Sequence, residues 1–551
     1  MPKKSTTRKT APTTRRPGSG PAQVDGTRRL LNELEVQIAA VRDLADEMRA
    51  VRNLERPPEV IRRRLPVTLS FAEGLGTLVM ADERLAARAR ALETDVRVTV
   101  LPQTRSGKTL RDARGLPQEE APLDDYRPDE ASCDSAQRFL ESNGLEILRR
   151  GRFGITTKGT AEQVKRALKV DLRVFALPRR EPARSVRAFA QAAGPPHPDD
   201  LFVAPVESIN VRFRKNGIDD LQFLPPPAYF GTPAAVPPTP AYHHLQEAQI
   251  RRLLNVPKNA GGAGIRVAVV DTGFYPHPYY AAKGYRLTPR PTAISPNPEQ
   301  DENGHGTAIA LNVFAVAPGC EVLGIQKTDV VDALEEAADS ADVISCSWGW
   351  SFEQSFSVVE KTVQAIVAEG KIVLFAAGNG QQSWPATMPE VIAVGGVYAD
   401  ETNALEASSY ASGFVSSLYP QRRVPDVSGL CGQGPRGIYI VMPCPPRSQM
   451  DADYGGTPFP DRDTTTVDDG WMAASGTSSA TPQVAGVAAL MLEKARANGK
   501  TLDTAGARSI LEQTSRPVTS GRNAFGFPAV GHPNVAVGFG LVDATAALGL
   551  V

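Results

Sequence analysis

Cysteine and histidine are scarce in this chain, which has five of the first and six of the second among 551 residues. The cysteines, at 133, 320, 346, 431 and 444, show no CxxC spacing, so neither a structural zinc site nor a disulfide framework is expected. A single Cys431–Cys444 bridge stays open. Basic and acidic residues balance at 61 each, so no excess charge indicates nucleic acid as a partner. No apolar run approaches the roughly 18 residues that a membrane-spanning helix needs.

The N-terminal region gives two predictions. Residues 1–27 begin with MPKKSTTRKTAPTTRRPGSG, a basic stretch that predicts a disordered tail. They lack the apolar core of a secretory signal, so we expect a cytoplasmic protein or one exported by a non-standard route. Residues 28–94 include LLNELEVQIAAVRDLADEMRAV, whose apolar residues recur at helical spacing. This segment is predicted to be helical, with a possible role in docking a protein partner.

Residues 95–210 change to a mixed pattern of short strands and helices. VRVTVL alternates like a strand, SAQRFLESNG and TAEQVKRALKV read as helices, and LEILRR, RFGITTKG and LRVFAL read as further strands. The order β-α-β-β-α-β is that of a ferredoxin-like α+β unit. Residues 211–250 contain LPPPAYFGTPAAVPPTP, whose dense prolines predict an extended linker.

Residues 251–551 have the pattern of an α/β domain. Short runs rich in Val and Ile, such as GIRVAVVD and KIVLFAAG, alternate with helical segments such as SVVEKTVQAIVAEG. Strands that are apolar on both faces and separated by helices predict a parallel sheet covered by helices on both sides. Functional residues of such sheets gather at the carboxyl ends of the strands.

Three short sequences in this domain supply an acid, an imidazole and a hydroxyl. Asp271 ends the run VAVVD, His305 stands between two glycines in NGHGT, and Ser478 lies in SGTSSATPQVAG ahead of an apolar helix. Alone, each has an ordinary explanation as a turn aspartate, a loop histidine or a helix-capping serine. Together they provide a nucleophile, its base and the group that orients the base.

Together with AAGN, which ends at Asn379, the sequences DTG, GHGT and GTSSATP resemble the motifs of subtilisin-like serine proteases, the subtilase family, in the same order. The resemblance covers about 251–551. It implies that Asp271, His305 and Ser478 are catalytic and that Asn379 donates to the oxyanion together with the Ser478 N–H. Ser479 occupies the variable position of the motif and is expected to be structural.

The same resemblance implies how substrate is bound and whether a cofactor is needed. Ser347, Trp348 and Gly349 match the strand that lines the substrate cleft through backbone pairing, although Trp348 could equally belong to the core. Members of the family often carry a calcium-binding loop after the catalytic histidine. Here HGTAIALNVFAVAPGCEVL runs directly into the next strand, so we expect no cofactor and no metal ligands. Calcium stays an open alternative that the shortened loop after His305 does not support.

Residues 95–210 resemble the activation prodomains of subtilisins and sedolisins. This resemblance implies a self-processing zymogen in which DDLFVAPVESINVRF leads into the cleft. The chain would be cut between about 211 and 250, and the new N-terminus would precede LLNVPKNAGGAG. His305 and Asn379 favour the subtilisin branch, because sedolisins use a glutamate and an aspartate instead.

The expected function is that of a serine endopeptidase acting on protein or peptide substrates through an acyl-enzyme. Two alternatives stay open. One is a catalytically silent binding or regulatory protein that kept the fold, and the other is an exopeptidase resembling tripeptidyl-peptidases. An intact set of Asp271, His305, Ser478 and Asn379 argues against the first, and the length of the released peptides would distinguish the second.

Overall fold

The computed structural model describes residues 68–70, 77–80, 96–110, 122–176, 201–205, 210–227, 244–350, 355–434, 439–454 and 468–551. The tail predicted at 1–27 and most of the helical segment predicted at 28–94 lie outside these ranges. Within that segment, Thr68–Ser70 (β1) and Thr77–Met80 (β2) form an antiparallel pair, so the helix prediction is wrong for them. Thr and Val favour strands, and pairing with a later strand decides the outcome for β2.

The N-terminal unit, by which we mean the described residues of 68–227, contains the predicted succession of elements. These are β3 (Val96–Pro102), α1 (Glu130–Ser142), β4 (Glu146–Arg150), β5 (Ile155–Gly159), α2 (Ala161–Leu168) and β6 (Leu172–Ala176). A 3-10 turn at Leu123–Tyr126 precedes α1. Both helices begin with side-chain caps: the carboxylate of Asp129 accepts from the Ser132 N–H, and Thr160 forms a capping box with Gln163.

The pairing of these strands differs from a simple ferredoxin-like sheet. The last strand of such a unit would pair with its first, but β6 lies in a second sheet of order β1-β2-β6 that ends with Leu201–Pro205 (β7). The place beside β3 is taken by Ile218–Gln222 (β9), and Asn210–Lys215 (β8) follows at the edge. The resulting antiparallel sheet has the order β4-β5-β3-β9-β8.

This strand pairing corrects two predictions made from the sequence. DDLFVAPVESINVRF, predicted to lead into the cleft, supplies β7 and β8 instead. The linker predicted at 211–250 cannot begin at 211, because β9 extends to Gln222 with Leu221 fully buried in the core. Residues 228–243 of the predicted linker lie outside the described residues.

The C-terminal domain, residues 244–551, is built on an eight-stranded sheet. Its strands are β10 (Arg266–Asp271), β11 (Arg286–Arg290), β12 (Glu321–Gln326), β13 (Val343–Cys346), β14 (Ile372–Ala376), β15 (Ile392–Ala399), β16 (Leu405–Ala407) and β19 (Val427–Leu430). The order is β11-β12-β10-β13-β14-β15-β16, and β19 also pairs with β15. All pairs are parallel except β15–β16. Two small antiparallel pairs accompany it, β17 (Phe414–Val415) with β18 (Arg423–Val424) and β20 (Ile440–Pro443) with β21 (Trp471–Ala474).

Helices cover both faces of this sheet, as predicted. They are α3 (Glu247–Leu253), α4 (Pro278–Ala282), α5 (His305–Val316), α6 (Val330–Ser340), α7 (Ser357–Ala368), α8 (Gln449–Tyr454), α9 (Thr477–Ala497), α10 (Thr504–Thr514) and α11 (Ala544–Leu550). Alternate residues of β10 face opposite layers. Val267 and Val269 join the apolar cluster of α5 and α9, whereas Ala268 and Val270 join that of α6 and α7.

All five cysteines are buried and free, so Cys431 and Cys444 form no disulfide. Burial raises the pKa of the Cys320 thiol to about 12 and that of Cys431 to about 11. Among the described residues, no helix is both long and apolar enough to cross a membrane.

Candidate active site

The candidate site lies at the carboxyl edge of the C-terminal sheet. Asp271 is the last residue of β10, Ser347 directly follows β13, and Asn379 comes three residues after β14. These three strands are parallel neighbours, with Val270 paired to Cys346 and Cys346 paired to Phe375. Their ends therefore coincide, and the residues that follow them meet at one edge.

Asp271 and His305 form a buried hydrogen-bonded pair. The Asp271 side chain is fully buried, its Oδ1 lies 2.7 Å from His305 Nδ1, and the same oxygen accepts from the Thr272 N–H at 2.8 Å. His305 is the first residue of α5, after Gly304, whose φ of 92° lies in the left-handed region that favours glycine. The glycine thus turns the chain so that the imidazole meets the end of β10.

Asp301 is a second buried carboxylate that the sequence analysis missed. Its Oδ1 accepts from the Thr272 hydroxyl and the Gly304 N–H, both at 2.8 Å, and its Oδ2 accepts from the N–H and hydroxyl of Thr307 at 3.0 and 2.5 Å. Burial raises the pKa of Asp301, although each of the four hydrogen bonds that it accepts lowers that pKa. The carboxylate joins the residue after Asp271 to both sides of His305, so Asp301 is a positioning residue. Its only sequence signal is an acid four positions before the histidine.

Ser478 and Ser347 exchange two hydrogen bonds. The Ser478 hydroxyl donates to the Ser347 carbonyl at 3.1 Å, and the Ser347 hydroxyl donates to the Ser478 carbonyl at 2.8 Å. The second bond has a cause in the sequence, because Pro482 lies four residues after Ser478 inside α9 and has no N–H to give to that carbonyl. Ser347 supplies the missing donor and fixes the first turn of α9 against the end of β13.

The two adjacent serines have different surroundings. Ser479 is almost fully buried, and its hydroxyl contacts the Met442 sulfur at 3.9 Å, a weak interaction inside the core. Ser478 instead lies at the sheet edge beside Ser347. The structural role of Ser479 stays a prediction.

Asn379 contacts the residue immediately before Ser478. Its Oδ1 accepts from both the N–H and the hydroxyl of Thr477, each at 3.0 Å. The Thr477 hydroxyl also accepts from the Gly378 N–H at 3.2 Å. Because the amide oxygen of Asn379 faces Thr477, the Nδ2 group of Asn379 points away from Thr477. The sequence alone does not predict this role of Thr477.

The segment SWG, residues 347–349, is tightly packed within the C-terminal domain. Trp348 is fully buried, its indole N–H donates to the Val270 carbonyl at 2.7 Å, and its ring packs edge-on against Phe375. At Gly349 a Cβ would lie 2.4 Å from the Ser383 hydroxyl, which leaves no room for a side chain. Any contact of Trp348 with substrate must therefore use its backbone.

A segment of the N-terminal unit runs beside this part of the site. The Trp350 indole donates to the Pro225 carbonyl at 3.0 Å, and Lys327, which follows β12, donates to the Pro227 carbonyl at 3.3 Å. Residues 225–227, rather than the sequence predicted to lead into the cleft, are the part of the N-terminal unit that lies at the carboxyl edge.

The comparisons with known proteins identify the family to which the chain belongs. Residues 262–540, just over half of the chain, match the model of the subtilase family of peptidases. The chain therefore belongs to the subtilase family, a family of serine proteases. Within the described residues, no three His, Cys, Asp or Glu side chains are grouped so as to hold a metal ion.

Relatives with known names are similar over the C-terminal domain. Subtilisin Savinase of Lederbergia lenta is 27% identical over 254 residues, which are 42% of this chain and 78% of that protein. M-protease of Shouchella clausii is also 27% identical, over 42% of this chain and 55% of its own length. Subtilisin E of Bacillus subtilis is 28% identical over 261 residues, covering 42% of this chain and 56% of its own. The chain thus spans about half the length of several curated relatives that it matches.

Among solved structures, fervidolysin from Fervidobacterium pennivorans, a keratinolytic enzyme related to subtilisin, shares the fold. The TM-score is 0.51 at 18% sequence identity, over 83% of this chain and 61% of that one.

Proposed function

We propose that the protein is a serine endopeptidase that cleaves peptide bonds through an acyl-enzyme, with Ser478 as nucleophile, His305 as general base and Asp271 as the group that orients the imidazole. The observation that carries this proposal is the buried 2.7 Å bond between Asp271 and His305, at the same sheet edge as the Ser478 hydroxyl. Family membership supports the reaction class, and the assignment of each residue is our own.

The hydrogen bond between Asp271 and His305 supports the proposed role of the imidazole. A carboxylate only accepts hydrogen bonds, so the imidazole nitrogen facing Asp271 carries the proton. Nε2 is the nitrogen proposed to accept the Ser478 proton. Ser478 Oγ then forms a bond to the peptide carbonyl carbon. The protonated His305 next donates its proton to the leaving amine, and water repeats the sequence to release the acyl group.

Two donors are proposed for the oxyanion. Ser478 is the second residue of α9, where backbone N–H groups have no partner within the helix and the dipole favours negative charge. The Asn379 amide is the second donor, and Thr477 orients it from the opposite end. Donors fixed in advance stabilise the charge that develops in the transition state.

Serine-directed labelling tests this assignment. A fluorophosphonate should modify Ser478 in the unaltered chain and in Ser479→Ala, and should leave Ser478→Ala unmodified. Modification of Ser479 would overturn the choice of nucleophile, and no modification at all would favour a catalytically silent protein. Peptides cut from an unstructured protein should be of mixed length, whereas regular short peptides would indicate an exopeptidase.

The N-terminal unit is proposed to be a prodomain that the enzyme removes from itself. The position of Pro225 and Pro227 beside Trp350 and Lys327 supports this, since SWG is the expected path of a substrate chain. The cut should fall within 228–243. Residues 244–254 belong to the C-terminal core, because Leu245 exchanges backbone hydrogen bonds with Tyr439 and Val441 and is fully buried.

A cut within 228–243 lies before the position expected from the sequence, where the new N-terminus would directly precede LLNVPKNAGGAG. A cut at that later position would remove α3 from the C-terminal domain. Intact-mass measurement should find fragments that meet within 228–243, and Ser478→Ala should stay at 59.0 kDa. An active protein of full mass would instead make the N-terminal unit a permanent module.

A further inference from the structure

Residues 149–152, the end of β4 and the start of the turn to β5, carry two arginines that reach the C-terminal domain; we call this segment the arginine turn. Arg149 Nε lies 2.7 Å from Glu335 Oε2, and its Nη1 lies 3.0 Å from Asp332 Oδ1. Arg152 donates from its backbone N–H to Glu335 Oε1 at 2.7 Å, and its side chain lies 2.9 Å from Asp339. One turn of the N-terminal unit therefore contacts three acids of α6.

Two of the three acids in this contact are buried, unlike those of an ordinary surface ion pair, whereas Asp339 is 57% exposed. The side chains of Asp332 and Glu335 are 1% and 2% exposed, and the Arg149 side chain is 21% exposed. Burial alone would lower the pKa of Arg149, but Glu335 and Asp332 outweigh it and hold the pKa above its usual value. The approach also depends on Gly151, where a Cβ would lie 2.7 Å from Glu335 Oε1.

Arg150 has a different set of partners. Its guanidinium binds Asp134 at 2.8 Å and also Glu130, both on α1 of its own unit. Consecutive residues of a strand point to opposite faces, which places Arg149 on the C-terminal domain and Arg150 on the N-terminal unit. Arg150 therefore offers a matched control, because it is the neighbouring arginine but its ion pairs lie within the N-terminal unit.

The arginine turn has a separate consequence once the chain is cut. While the two parts are covalently joined, a linker keeps them at high effective concentration whatever the interface contributes. After a cut, only the interface retains the N-terminal unit. Buried carboxylates left without their arginines are costly in the complex, whereas water solvates them when the parts separate.

We propose that the arginine turn is the anchor that retains the cleaved N-terminal unit on helix α6 of the C-terminal domain. The partner of this surface is therefore the chain's own N-terminal fragment, recognised by two arginines and the Arg152 N–H. The apolar cluster shared by the two parts and the Lys361 ammonium over the Tyr126 ring add to the contact. The biological meaning of this retention rests on the proposed self-processing, but the contact itself does not.

The test uses full-length Ser478→Ala carrying the recognition sequence of a site-specific protease within 228–243. The protein is attached to a surface through its N-terminus and cut there, and release of the C-terminal fragment is followed over time. Removing one side of a buried charge pair acts mainly on dissociation, so Arg149→Ala with Arg152→Ala should speed release by roughly 100-fold. Arg150→Ala should release at about the rate of the unaltered chain.

Glu335→Gln makes the same test from the other side, with no change to the turn, and should release at least ~10-fold faster. Circular dichroism of each uncut variant establishes that it is folded. Equal release from Arg150→Ala, the double variant and Glu335→Gln would overturn the proposal. Because Ser478→Ala is used throughout, this result is independent of labelling and self-cleavage, which test the proposed function separately.

Discussion

The candidate active site and the arginine turn hold their partners by different interactions. At the carboxyl edge of the sheet, most contacts are hydrogen bonds of hydroxyls, amides and backbone groups within one domain, such as the exchange between Ser347 and Ser478. At the arginine turn, guanidinium groups meet carboxylates across two parts of the chain. Short directional bonds suit groups whose positions must be fixed for chemistry. Ion pairs suit a contact that can be undone, because water solvates both charges after separation.

The largest effect that separates the two regions should come from Asn379→Ala. An oxyanion donor acts mainly in the transition state, so turnover should fall by roughly 10²–10³ with little change in KM. Release of the cleaved N-terminal unit should be unaffected, because the hydrogen bonds of Asn379 to Thr477 lie within the C-terminal domain. Steady-state kinetics on a peptide substrate measure the first quantity. Nearly full turnover would make Asn379 an ordinary turn residue.

A smaller effect on the site is expected from Ser347→Ala. The change leaves the Ser478 carbonyl without the donor that replaces the missing N–H of Pro482. An unsatisfied buried acceptor costs about 1–3 kcal/mol, which should appear in the free energy of unfolding measured with urea. Ser479→Ala is the control, since its hydroxyl has only a weak contact with sulfur, and it should lose less. Equal losses from the two variants would contradict the proposed role of Ser347.

The smallest effect concerns α3, the first helix of the C-terminal domain. The hydroxyls of Tyr279 and Tyr285 both donate to Glu247 of α3, and burial raises the pKa of both phenols. A raised pKa means that this stabilisation is present below the ordinary tyrosine pKa of about 10 and is lost as the pH rises through the folded-state value. Tyr279→Phe should cost about 1 kcal/mol at pH 7.

The melting temperature measured between pH 7 and 11 tests this linkage. It should fall above about pH 10 in the unaltered chain, and it should fall less in the double variant Tyr279→Phe with Tyr285→Phe. An identical decline in both proteins would show that these phenols do not link α3 to the domain.

Much of the candidate active site and of the C-terminal sheet could be predicted from the sequence. Asp271, His305, Asn379 and Ser478 each lie in a short motif at a strand end or a helix start, and parallel strands bring such ends together. The predicted sheet with helices on both faces is confirmed for the same reason. Asp301 was missed because its role depends on donors from two separate segments, and nothing in DENGH distinguishes it from the neighbouring Glu302.

The N-terminal unit was harder to predict because its arrangement depends on long-range pairing. Strand propensity identified LRVFAL correctly as β6, but nothing in that run specifies β2 and β7 as its neighbours. The strand beside β3 comes from Ile218–Gln222, far along the chain and next to prolines that indicated a linker. Antiparallel pairing at such sequence separation is decided by the packing of the whole unit.

The exchange between Ser347 and Ser478 has a consequence for when activity can arise during synthesis. The two residues are 131 positions apart, and Ser478 is made after Asp271, His305 and Ser347. A ribosome-bound chain would display the acid, the imidazole and the carbonyl that receives the serine hydroxyl long before the serine itself emerges. The proposed nucleophile gains its surroundings only when α9 docks on a finished sheet. If the proposed function holds, a nascent chain is unable to digest itself or its neighbours before that step.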